Sequence, residues 1–102
     1  MRRIVLICDD GVSANVLVRK MEKYAQQIGY ECRIEAYGIE MIKSKAGGAD
    51  IILVGPQIAF AEKQIRETAG TKVPVSVMEM RDYGAQRADV FIEKCRKLLG
   101  DK

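Results

Sequence analysis

The sequence predicts an α/β fold: a single domain with an open four-stranded parallel sheet of order 2-1-3-4 and helices on both faces. Three observations carry this expectation. Strand-like and helix-like stretches alternate along the 102 residues, the pattern that right-handed crossovers between parallel strands produce. Two continuous apolar runs, Ile4-Val5-Leu6-Ile7 and Ile51-Ile52-Leu53-Val54, suit strands covered on both faces, so the first and third strands should be central. Residues 30–37 alternate instead, setting Tyr30, Cys32, Ile34 and Ala36 against Glu31, Arg33 and Glu35, as a half-exposed edge strand would.

The remaining elements follow in order. After the first strand, a polar loop leads into a helix with Val16, Leu17, Met21, Tyr24, Ala25 and Ile28 inward and Arg19, Lys20, Glu22, Lys23 and Gln26 outward. Ser13 or Asn15 is placed to cap it, and Gly29 to end it at the C′ position. Residues 38–45 read as a short helix or turn carrying Ile39 and Ile42, closed by Gly47-Gly48. Gly55-Pro56-Gln57 ends the third strand, and Pro56 suits the first turn of a helix whose inner face is Ile58, Ala61, Ile65 and Ala69. Gly70 stops that helix. The fourth strand spans residues 73–78, with Pro74 near its start, where a missing N–H is tolerated. Residues 80–84 read as a loop. A last helix, from about residue 85 to 99, turns Ala88, Phe91, Ile92, Cys95, Leu98 and Leu99 inward.

Composition excludes several functions. A net charge of +3 with basic and acidic residues interspersed gives no basic patch for nucleic acid. With no histidine in the chain, His-based acid–base catalysis, a Cys-His pair and His metal sites are all ruled out. Three cysteines without a C-x-x-C spacing suggest neither a disulfide framework nor a metal centre, and reduced thiols in the cytoplasm are expected. The apolar run at residues 4–7 is too short for a signal peptide or a membrane span, and no cofactor is called for.

In open α/β sheets the site lies at the strand C-termini beside the switch in strand order, so the loops after Ile7, Val54 and Met78 are the places to look. Cys8 stands at the first of them, before Asp9-Asp10-Gly11-Val12-Ser13-Ala14-Asn15 and the opening helix. Two readings of Cys8 stand side by side. It is either the last buried residue of a strand, as cysteines often are, or a nucleophile whose thiol a helix N-terminus draws towards neutrality. In the second case the N–H groups of Gly11, Val12, Ser13, Ala14 and Asn15 would cradle a phosphoryl group. Cys32 and Cys95 lie on apolar faces and read as core.

A cysteine phosphatase of the low-molecular-weight kind needs an arginine six residues after the cysteine, where this chain has Ala14. Asp9 and Asp10 resemble the acidic pair of a receiver domain, but the third strand ends in Val54-Gly55 rather than a carboxylate, leaving a poor Mg²⁺ site.

Over essentially its whole length the chain resembles the IIB component of the bacterial sugar phosphotransferase system, in its lactose/cellobiose/diacetylchitobiose class. The residues carrying the resemblance are Cys8, Gly11 and Ser13 in a Cys-x-x-Gly-x-Ser loop, Leu53-Val54-Gly55-Pro56-Gln57-Ile58, Asp50, and Asp82-Tyr83-Gly84. The resemblance implies a phosphoryl carrier: Cys8 takes phosphate from a phosphohistidine on a IIA partner and passes it to a sugar held by the membrane permease IIC. It implies a cytoplasmic protein, expected as a monomer, with Gln57 and Tyr83 as accessory residues that shape the loop or the partner surface.

The chain departs from the family pattern at Asp9 and Asp10, where small neutral residues are usual, and at Ala14 and Asn15, which replace hydroxyls. A carboxylate ~5 Å from a phosphoryl charge repels it by roughly 1–3 kcal/mol, against about 0.3–1 kcal/mol, and up to ~2, returned by a helix N-terminus. The expectation is that Asp9 and Asp10 either point away from the cradle or favour onward transfer. The alternative is a non-catalytic or regulatory relative with the same fold.

Overall fold

The computed structural model describes residues 1–10 and 14–101. Its sheet has four parallel strands in the order β2-β1-β3-β4: β1 (Arg2–Cys8), β2 (Cys32–Gly38), β3 (Ile51–Val54) and β4 (Val75–Val77). The central strands are the two apolar runs, and every residue from Ile4 to Cys8 and from Ile51 to Val54 is buried. Period-two alternation divides these side chains between two cores. Ile4, Leu6, Cys8, Ile51 and Leu53 face one side, against helices α1 (Asn15–Gln27) and α5 (Ala88–Leu99). Val5, Ile7, Ile52 and Val54 face the other, against α2 (Ile42–Lys45) and α3 (Glu62–Ala69) with the 3-10 turns that lead into and out of them. The order and the two-sided covering agree with the expectation from sequence.

Several local expectations are corrected. Helix α1 buries Leu17, Val18, Met21 and Ala25, while Val16 and Ile28 are exposed and Tyr24 is half-buried. Val18 takes the inner place because the buried stripe must meet both the sheet and α5. Asn15 is the first helical residue and caps nothing; the N-cap is Ala14, with no side-chain cap bond. At the other end Gly29 has φ +73° and sits at C′, with the amides of Gly29 and Tyr30 bonded to the carbonyls of Gln26 and Ala25. That is the paired closure of a Schellman motif, which a left-handed glycine makes possible.

Strand β4 is shorter than expected, three residues rather than six. Residues 80–84 form a one-turn helix, α4 (Met80–Gly84), where a loop was expected, held by the Tyr83 amide on the Glu79 carbonyl at 2.9 Å. Gln86, at φ +52°, separates it from α5, so the last helix begins three residues later than its apolar spacing suggested. Leu98 is exposed, because α5 turns Ala88, Phe91, Ile92 and Cys95 to the sheet instead. Cys95 is buried and Cys32 half-buried. Among the described residues, no helix is long and apolar enough to cross a membrane.

At the strand N-terminal end, Arg2 binds Asp101 through two bonds of 2.8 Å, and the Tyr30 hydroxyl donates to the same carboxylate at 2.6 Å. Asp50 joins β1 to β3 there, accepting from the Arg3 amide at 2.7 Å and donating its own amide to the Arg3 carbonyl at 2.9 Å. Asp50 is therefore a sheet fastener, at the far end from Cys8.

Candidate functional site

Cys8 is the last residue of β1, a central strand, and three chain segments converge on it. The first is the Asp9-Asp10 stretch and the start of α1. The second is Gly55, which follows β3: its amide donates to the Ile7 carbonyl at 2.8 Å, extending the β1–β3 ladder by one bond. Gly55 is buried, and a Cβ built on it would stand 3.4 Å from both Cα and Sγ of Cys8. The third is α4, following β4. Met78 anchors its start through an amide bond to the Val54 carbonyl at 2.8 Å, and half-buried Tyr83 packs into the core that contains Cys8. These are the three strand ends at which the sequence located the site.

Tyr83 acts on the Cys8 thiol from the same core. Burial pushes the thiol up to about 11; Tyr83 acts in the opposite direction, and the charges of Asp9 and Asp10 add to the rise. Of the two readings of Cys8 from sequence, the nucleophile reading carried a thiol drawn towards neutrality, and the raised value runs against that part of it. The correction follows from geometry: Cys8 has no exposed surface, and a thiolate stripped of water loses more than a helix terminus returns.

Asp9 and Asp10 are both exposed, and the Asp10 amide donates to the Asp9 carboxylate at 3.0 Å. The Asp9 carboxylate thus turns to its own chain. Ala14 is buried at the N-cap of α1, and exposed Asn15 follows it, so both stand in the first turn where helical amides have no partner within the helix. Gly11, Val12 and Ser13 lie outside the described residues. Gln57 is exposed in the 3-10 turn Pro56–Ala61, which packs against α4.

Two residues absent from the sequence reading stand out. Phe60, in that 3-10 turn, and Met80, opening α4, are large apolar side chains left exposed on segments that touch each other. Helical spacing hides them, since it marks inward positions and says nothing of apolar residues left outside. Two hollows of about 410 and 480 Å³ open instead at the strand N-terminal end, both bounded by Met1, Tyr30 and Glu31. Cys8 lines neither.

Residues 3–94 match the family model described as the lactose/cellobiose-specific IIB subunit of the PTS system. The chain is 39% identical to the oligo-beta-mannoside-specific EIIB component of Bacillus subtilis, the match covering 97% of each. It is 33% identical to the galactose-specific EIIB component of Lactococcus lactis subsp. cremoris, covering 94% of each. Among solved structures it is similar to the cellobiose-specific phosphotransferase IIB component of Borrelia burgdorferi, with a TM-score of 0.79 and 26% identity over 97% of this chain and 92% of that one. The lactose-specific IIB domain of Streptococcus pneumoniae, at 13% identity, shares the fold, with a TM-score of 0.76 over 91% of this chain and 95% of that one.

Proposed function

The chain belongs to the lactose/cellobiose-specific IIB family of the sugar phosphotransferase system, and from that premise we propose that it carries phosphoryl groups on Cys8. The observation that carries the reading is the position of Cys8: at the C-terminal end of a central strand, against Gly55 and in the core that Tyr83 packs against, in a chain without histidine. In the first step a IIA phosphohistidine presents its phosphorus to Sγ. The P–N bond breaks, the P–S bond forms, and the thiol proton goes to the departing imidazole nitrogen. Atoms and charge balance without an added base, so a thiol that is protonated at rest is compatible with the step. Gly11, Val12, Ser13, Ala14 and Asn15 supply amide donors for the phosphoryl oxygens, and preorganised donors are what such a transfer needs most. In the second step the phosphoryl group leaves Sγ for a sugar hydroxyl held by the IIC permease, in the cytoplasm. Gln57 and the Asp9-Asp10 pair belong to the rim that meets the partners.

A second reading, a non-catalytic relative, draws on the buried thiol held at about 11 and the two adjacent carboxylates. One experiment separates the two. Phosphoenolpyruvate, the general phosphotransfer proteins and a cognate IIA are incubated with the chain, and peptides are searched for phosphate. Label on the Cys8 peptide, lost in Cys8→Ser, supports the carrier; no label with any IIA supports the non-catalytic relative.

A further inference from the structure

The end of the sheet that holds Cys8 is acidic. Among the described residues, the segments directly after the strands carry Asp9 and Asp10 behind β1, Glu40 in the 3-10 turn Ile39–Met41 behind β2, and Glu79 and Asp82 behind β4, against a single basic residue, Arg81. All of these but half-buried Asp82 are exposed. Lysine and arginine resume further along the helices, at Arg19 and Lys20 in α1, Lys43 in α2 and Lys63 in α3. The whole chain has a net charge of +3, so this end is opposite in sign to the molecule that carries it.

The same end also presents apolar surface. Phe60 is 79% exposed and Met80 58%, on the segments that follow β3 and β4 and pack against each other. Neither belongs to the core on either face of the sheet. Phosphoryl transfer fixes what must lie over them. Reacting atoms approach to about 3–3.5 Å, and a specific interface covers about 800 Å² on each partner. A donor that reaches buried Cys8 therefore covers the neighbouring segments too. Interfaces of this kind have an apolar centre rich in aromatic residues and methionine, a polar rim, and opposite charge across that rim.

We propose that Phe60 and Met80, with Asp9, Asp10, Glu40 and Glu79 around them, form the docking surface for the IIA phosphodonor, and that they select a donor whose phosphohistidine lies in an apolar surface bordered by lysine and arginine. This rests on the carrier reading above. Opposite charge steers the encounter, and like charge turns acidic competitors away. A basic rim also neutralises Asp9 and Asp10 while the phosphoryl group arrives, and their repulsion returns when the donor leaves, which favours onward transfer.

The test follows phosphoryl transfer to the full chain from a phospho-IIA that labels wild-type Cys8, over a range of IIA and NaCl concentrations. The variants are Phe60→Ser with Met80→Ser, Glu79→Lys, and as control Leu98→Ser, an exposed apolar residue of α5 towards the end tied by Arg2 and Asp101. The double variant is expected to raise the IIA concentration at half-maximal rate about tenfold or more, with the maximal rate kept. Glu79→Lys should raise it about two- to fivefold at low salt and not at 0.5 M NaCl, where exposed charges are screened. Wild-type half-saturation should rise with salt, and Leu98→Ser should match wild type. A double variant that saturates like wild type, or that loses maximal rate at unchanged half-saturation, overturns the docking surface. Wild-type transfer that strengthens with salt overturns the basic rim of the donor. Unchanged transfer from IIA with a loss of transfer to sugar in permease-bearing membranes, or of wild-type self-association in sedimentation, assigns the surface to IIC or to a second copy and overturns the IIA assignment. A wild type that takes no label from any IIA overturns the carrier reading, and this surface's occupant with it.

Discussion

The amide of Gly55 donates to the carbonyl of Ile7 at 2.8 Å, which presses the Gly55 backbone flat against Cys8. The contact follows from parallel pairing of β1 and β3, whose register sets Ile7 beside Val54 and so brings the next residue of each strand together. It makes Gly55 a wall of the site as well as a strand terminator, and its tolerance to substitution can be worked out.

Gly55 has φ −61° and ψ 141°, an extended conformation open to any residue, and a Cβ would lie 3.4 Å from Cys8. Gly55→Ala is therefore expected to fold with stability within about 1 kcal/mol of wild type, since reduced freedom of the unfolded chain offsets the tight contact. Gly55→Val adds two further methyls on that Cβ and should cost about 1–3 kcal/mol. Urea denaturation of the three proteins measures both.

Replacing Asp9 and Asp10 by asparagine removes two charges that hold the Cys8 thiol up. The alkylation midpoint of Cys8 should fall from about 11, by less than one pH unit per substitution because both residues are exposed and screened. An unmoved midpoint in the double variant would show that the carboxylates do not act on the sulfur.

Alkali should destabilise the fold. Burial holds Cys8 at about 11 and Cys95 at about 12, both above the ordinary 9.0, so between these limits the folded chain keeps protons that the unfolded chain has released. Their contribution is complete below pH 9 and is lost as pH rises through 11 and 12. While one such thiol is ionised only in the unfolded state, stability falls by about 1.4 kcal/mol per pH unit. Denaturant midpoints at pH 8 and 10.5 test this, and Cys95→Ala should flatten the dependence.

On the acid side Asp101 is one group whose titration bears on stability. Arg2, and then Tyr30, hold its carboxyl down to about 2 from 3.8. That stabilisation is present above pH 3.8 and disappears as pH falls through about 2. Asp101→Asn should lower the thermal midpoint at neutral pH and leave it less sensitive to acid, because the segment after α5 loses its tie to β1. Thermal scans between pH 2 and 7 decide it.

How much of this was legible in the sequence differs from element to element. The two central strands were plain, because a strand buried on both faces has no choice but to be apolar throughout. The edge strand was equally plain from its alternation. Strand order followed, since Ile4-Val5-Leu6-Ile7 and Ile51-Ile52-Leu53-Val54 can be covered on both faces only at the centre of the sheet. Cys8 itself was marked out by position, and the absence of histidine left it the one credible nucleophile.

Other features were invisible because they depend on what stands across the fold. The one-turn helix at Met80–Gly84 has too few residues to show a period, and its bonds to neighbouring backbone decide it. Val16, Ile28 and Leu98 carry an apolar signature, yet α1 and α5 turn other residues inward to meet the sheet and each other. The thiol of Cys8 shows the same division. Local sequence left it either a buried strand end or a thiol lowered by the following helix, because a local argument counts only the helix terminus and the adjacent carboxylates. Burial beneath α1 and α5, and a tyrosine 75 residues away in the chain, are products of the tertiary structure. Sequence alone therefore determined which atom is the candidate nucleophile, because residue type and strand position are local properties. Only the packed fold decided how readily that atom ionises, because desolvation is set by everything that surrounds it.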